Sequence, residues 1–176
     1  MSESPSARAA RATRTHLSQF SDEDMAYHEA GHAVVHHLHG GVVRRLGIDR
    51  EDPRRGCETA PRPSSPPPSA TRADPKQALV DRLALLVGGE VAATLHGTPA
   101  DLVTAGGRVD HDAALRAAAE AGIDPEQARA MIDAEWQRVR DRLRDPAAWR
   151  LVERLAQALL RQKTLEEAEI AALLTQ

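Results

Sequence analysis

Aromatic side chains are nearly missing: they make up 2% of the 176 residues, against an apolar fraction of 41%. Ala, Leu and Val must therefore fill the core, and Trp136 and Trp149 read as core anchors rather than ligand platforms. A single cysteine, Cys57, excludes an internal disulfide and fits a reducing, cytoplasmic compartment. A lone thiol of this kind reads as structural rather than as a redox switch. No apolar run approaches the ~20 residues of a spanning helix. The longest candidate, residues 78–95, is interrupted by Asp81, Arg82 and Glu90, so no membrane association is expected. A surplus of positive charge is also lacking. The net charge of −3 and pI near 6.2 speak against a nucleic-acid partner. There is no G-x-x-x-x-G-K-[ST] phosphate loop, and hence no sign of an ATPase motor. Residues 1–20, rich in Ser, Ala, Arg and Thr, lack the apolar stretch of a secretory signal and read as a disordered tail.

What the chain does have is His28-Glu29-Ala30-Gly31-His32, an HExxH motif. Residues four apart share one face of an α-helix, so His28 and His32 can offer imidazole nitrogens to one point. Zinc suits that point, because it accepts neutral imidazole and leaves a position open for water in catalytic sites. Glu29 then stands where it can act on that water as general base. The flanks support a helix. Ser21 with Asp24 resembles a capping box, Ala26, Ala30, Ala33, Val34 and Leu38 recur at helical spacing, and Gly40-Gly41 ends the run.

Residues 42–48 read as a short strand, with Gly56-Cys57-Glu58-Thr59 as an antiparallel partner. Residues 60–73 hold five prolines and read as a flexible loop. Asp-Pro pairs at 74–75, 124–125 and 145–146 each place a cap before a first-turn proline, which predicts three helix starts. Ile132, Val139 and Leu143 line one helix face, and Val152, Leu155 and Leu159 another. Thr164 with Glu167 suggests a capping box for a last short helix. The expected fold is mainly α: a zincin-type HExxH helix, a small antiparallel sheet and a C-terminal helical bundle in one domain over residues 21–176.

Three segments together resemble the peptidase domain of the FtsH family of ATP-dependent zinc proteases. Tyr27–His32 follows the family's tyrosine-histidine-glutamate-alanine-glycine-histidine helix. Val87-Gly88-Gly89 follows its Gly-Gly helix, and residues 106–110 follow the turn from which the family takes an aspartate as third zinc ligand. The C-terminal Thr164-Leu165-Glu166 and Glu169-Ile170 are similar as well, so the resemblance runs over residues 24–174.

The resemblance implies zinc held by His28, His32 and Asp110, with Asp112 the nearest alternative and His111 a more remote one. The plainer reading of Asp110 is a helix cap, and the two roles can coexist. His36, His37 and His39 are not expected to be primary ligands, since three protein ligands and water complete such a site. The acidic residue that the family places after Gly-Gly is missing, as Ala93 or Thr94 occupies that position. The implied activity is that of a stand-alone zinc endopeptidase cutting unfolded or flexible polypeptide, with Glu29 as base. A separate ATPase is a possible partner, and the substrate strand is expected to lie along residues 42–48. The alternative is a regulatory or binding protein that keeps the fold without proteolysis.

Overall fold

The computed structural model describes residues 20–51, 56–60 and 74–175. The tail over 1–19 and the proline-rich loop over 61–73 lie outside the described residues; Phe20, at the boundary of the tail, is buried. The described chain is mainly helical, with six helices and a three-stranded antiparallel sheet.

Helix α1 (Asp22–Leu38) begins at the capping box that the sequence suggests. Ser21 Oγ accepts from the Asp24 amide at 3.0 Å, and the Asp24 carboxylate accepts from the Ser21 amide at 3.1 Å. Asp24 also accepts from the Thr98 hydroxyl at 2.7 Å, which ties the start of α1 to a distant loop. Helix α2 (Pro75–His96) starts at the Asp74 cap and stops at Gly97, whose φ of 100° closes the C-terminus in the left-handed conformation that glycine adopts without strain. The other two Asp-Pro pairs also act as read. Asp124 opens α4 (Pro125–Leu143) and Asp145 opens α5 (Pro146–Gln162), each carboxylate accepting from two first-turn amides.

Helix α1 packs on α2 at a point where the backbones nearly touch. A Cβ at Gly31 would sit 2.4 Å from the Gly88 carbonyl oxygen and 2.4 Å from the Ala92 Cβ. The glycine inside the HExxH motif is thus what lets α2 approach, and Gly88 is its counterpart. Around this crossing the core is Ala, Val and Leu: Ala30, Ala33, Val34, Val91 and Ala92 are all fully buried. Helix α4 lies against α2 and α5 against α1, so Ile132, Val139 and Leu143 face one contact and Val152, Leu155 and Leu159 the other, all buried. Trp149 stacks on Tyr27 at 5.9 Å between centroids, and Tyr27 stacks on His96 at 3.6 Å.

Three expectations need correction. First, residues 106–110 are no turn: helix α3 runs unbroken over Ala100–Glu120, and Asp110 lies in its middle rather than at a cap. Two mid-helix glycines cost about 1 kcal/mol each in propensity, but side chains pack closely over both. A Cβ at Gly106 would meet the Phe20 ring at 2.5 Å, and one at Gly107 would meet Glu90 Oε2 at 3.0 Å.

Second, Thr164 does not cap a helix. Residues Thr164–Glu166 form strand β3, paired antiparallel to β1 (Val42–Gly47), and α6 (Glu167–Thr175) follows directly. Glu169 accepts from the Glu166 amide at 3.0 Å. Third, β1 is the central strand, because β2 (Gly56–Ala60) pairs on its other side in the order β2-β1-β3. A bulge between Val43 and Arg45 turns Arg45 inward, where it is buried and paired with Glu166, while Arg44 stays exposed. No helix of the described residues is long and apolar enough to cross a membrane.

Candidate metal centre

His28 and His32 lie one turn apart on α1 and project towards α2 and α3. Asp110 reaches the same point from the middle of α3. The three ligand atoms form a small triangle: His28 Nε2 to His32 Nε2 is 3.1 Å, His28 Nε2 to Asp110 Oδ2 is 3.2 Å, and His32 Nε2 to Asp110 Oδ2 is 3.4 Å. Among the described residues these are the three metal-ligating side chains that come together. Four ligands in a tetrahedron at roughly 2.0–2.1 Å from zinc stand about 3.3 Å from one another. The observed edges match that spacing, so the donor set fits zinc in its size as well as in its chemistry.

No protein-family model and no curated protein matches the chain. The geometry and the chemistry of the residues therefore carry the functional reading.

The surroundings hold the triangle in place. The Leu85 carbonyl oxygen accepts from His32 Nδ1 at 2.8 Å, which keeps a proton on Nδ1 and would leave the Nε2 lone pair for a metal once Nε2 is deprotonated. Gly89 leaves room for the rings: a Cβ there would sit 2.4 Å from His32 Nε2 and 2.6 Å from His28 Nε2. His32 is buried, which opposes a positive charge, yet its hydrogen bond to Asp110 and that carboxylate's charge outweigh burial and hold its pKa at about 9. Asp110 is likewise disfavoured as an anion by burial. Its hydrogen bonds to His28 and His32 prevail and hold it well below the usual carboxylate range. Without metal, the cluster is an imidazolium–carboxylate pair in a half-enclosed pocket.

That pocket, about 520 Å³, opens between α1, α3 and β2. Glu29 lines it on the β2 side, where a Cβ at Gly56 would stand 3.9 Å from Glu29 Oε2. Phe20, Met25, Leu86 and Val109 supply its apolar walls, and Val109 is 65% exposed at the rim. Cys57 lines the same pocket. Burial, together with the charges of Glu29 and Asp110, pushes its thiol well above the ordinary range, so it is poorly nucleophilic.

The remaining candidates lie elsewhere. Asp112 and His111 are exposed on the outer side of α3. His36 Nε2 bonds the Ala60 carbonyl oxygen at 2.9 Å and thereby fastens the end of β2, while His39 pairs with Asp81 at 3.0 Å. Ala93 is buried and Thr94 bonds the Glu90 carbonyl, so neither supplies an acid. The carboxylate that directly follows the Gly-Gly pair, Glu90, packs against Gly107, one turn before Asp110. Sequence spacing carried no signal for this, or for the Leu85 carbonyl, because both are set by how α2 lies on its neighbours.

Proposed function

We propose that the chain is a zinc-dependent endopeptidase of zincin type that hydrolyses peptide bonds in unfolded or flexible polypeptide. The observation that carries this reading is the triangle of His28, His32 and Asp110, with Glu29 in the same pocket. Zinc bound there would polarise a carbonyl and lower the pKa of a water towards ~7. Glu29 adjoins the first ligand and faces the open side of the pocket, where it would accept a proton from the attacking water and return it to the leaving amine. Phe20, Met25, Leu86 and Val109 would shield the reacting groups from bulk water and favour an apolar side chain beside the scissile bond.

Residues 42–48 cannot receive a substrate strand on either side of β1 where β2 and β3 pair with it. Among the described residues no strand pairs with the outer edge of β2, so a substrate strand would add there, and three of its residues, Gly56, Cys57 and Thr59, line the pocket. Main-chain pairing there would hold an extended substrate with little regard to its sequence. A folded client would first need unfolding, which makes a separate ATPase a natural partner in this reading.

The deciding experiment incubates the zinc-loaded protein and its Glu29→Gln variant with unfolded casein, with metal content measured on the same samples. Cleavage by the wild type and a loss of about 10²–10⁴-fold in the variant, at equal zinc content, is the expected result. No cleavage by a fully zinc-loaded wild type, with or without a candidate ATPase, would replace the peptidase by a non-proteolytic binding protein.

A further inference from the structure

Two clefts on another part of the surface share no lining residue with the metal-site pocket. One, about 530 Å³, is bounded by Arg142, Arg150 and Arg154; the other, about 570 Å³, by Arg138 and Arg142. They meet at Leu38, the last residue of α1, and Arg142, so they form one groove along α4 and α5. Its floor is apolar, with Leu38, Val139 and Leu151.

The rim is cationic in a regular way. Arg138 and Arg142 stand four apart on α4, and Arg150 and Arg154 four apart on α5, so each helix turns a pair of like charges to the groove. Like-charge pairs at this spacing disfavour a helix. Of the four, Arg138 is neutralised by Glu135, while the other local carboxylates are engaged elsewhere. Glu135 is buried and bonded to Arg138, Asp141 pairs with Arg140, and Asp145 is committed to the amides of Ala147 and Ala148. Arg154 is held by the Leu173 carbonyl oxygen at 2.6 Å. The side chains of Arg142 and Arg150 make no ion pair or hydrogen bond with any other described residue, and both are exposed.

We propose that this groove binds an acidic polypeptide segment of a partner protein, with an apolar side chain seated on Leu38 and carboxylates paired with Arg142 and Arg150. Charge complementarity selects the occupant. Two exposed, unpaired guanidiniums separated by an apolar floor match carboxylates flanking a leucine-like side chain, and guanidinium binds carboxylate in bidentate fashion. A nucleic acid fits less well. The groove offers no Phe, Tyr or Trp ring for a base to stack on.

The test is fluorescence anisotropy with a labelled peptide of glutamates carrying two leucines four residues apart, alongside a lysine-for-glutamate peptide, a serine-for-leucine peptide and a single-stranded oligonucleotide. The Glu29→Gln protein is used so that the probe is not consumed, which makes the result independent of whether the chain is a peptidase. The acidic leucine peptide is expected to bind tightest, and to weaken sharply towards about 0.5 M salt. Its affinity should fall at least about tenfold in R142E/R150E, checked as folded by circular dichroism, and fall less in R142K/R150K, which keeps the charge but not the bidentate fork. Absence of binding at low salt, equal binding by R142E/R150E, equal binding of the serine peptide, or tighter binding of the oligonucleotide would each overturn the proposal.

Discussion

Gly89 lies directly against the His32 imidazole, so close that a Cβ on it would stand 2.4 Å from Nε2. The same missing methyl group makes room for His28. A Gly89→Ala substitution must therefore displace both rings or push α2 off α1, although alanine is the better helix former by about 1 kcal/mol. The expected outcome is a helical protein whose zinc affinity falls on the order of 100-fold or more, measured by competition with a chelating dye. Unchanged affinity would show that the rings are not held as described.

Asp110 faces the two histidines while Asp112, two residues on, faces solvent. Asp110→Asn should reduce bound zinc far below one equivalent per chain, as read by elemental analysis after reconstitution. Asp112→Asn should leave it near one. The reverse order would mean that α3 presents its other face.

His36 is the histidine next along α1, but its Nε2 is committed to the Ala60 carbonyl oxygen. His36→Ala should keep full zinc content and lower stability by about 1 kcal/mol, the net value of a typical hydrogen bond, in a denaturant titration. Loss of zinc from a folded His36→Ala protein would place it among the ligands.

Protonation supplies a further check. In the metal-free protein the His32 pKa is raised to about 9, above its ordinary value near 6.5, so its pair with Asp110 contributes stability that is complete below roughly pH 6.5 and is lost as pH rises through about 9. Asp110 is shifted the other way: its contribution is present above roughly pH 3.9 and is lost as pH falls below that. Zinc takes only the neutral imidazole, so at pH 7 its uptake should release about one proton from His32. Calorimetric titrations in buffers of different ionisation enthalpy would measure this, and a release near zero would contradict the raised pKa.

Local chemistry was enough to read much of this protein from its residues alone. The capping box of Ser21 and Asp24 and the three Asp-Pro starts were legible because capping is decided within four residues of chain. The shared face of His28 and His32 was legible because helix geometry fixes it. The pairing of β1 with β2 was legible because a short connection joins the two strands. Asp110 was named through a family's turn, yet it lies in mid-helix. A Gly-Gly step reads locally as a breaker, and only the approach of Phe20 and Glu90 gives those glycines their reason to be helical. Strand β3 is three residues long, too short for any periodicity, and it exists because Leu46 waits for Leu165 more than a hundred residues away. That pairing made β1 a central strand, with β2 at one edge of the sheet among the described residues. Short-range hydrogen bonds and helical spacing thus follow from sequence, whereas which atoms converge on one point is decided by long-range packing, here by how closely α2 and α3 can approach α1.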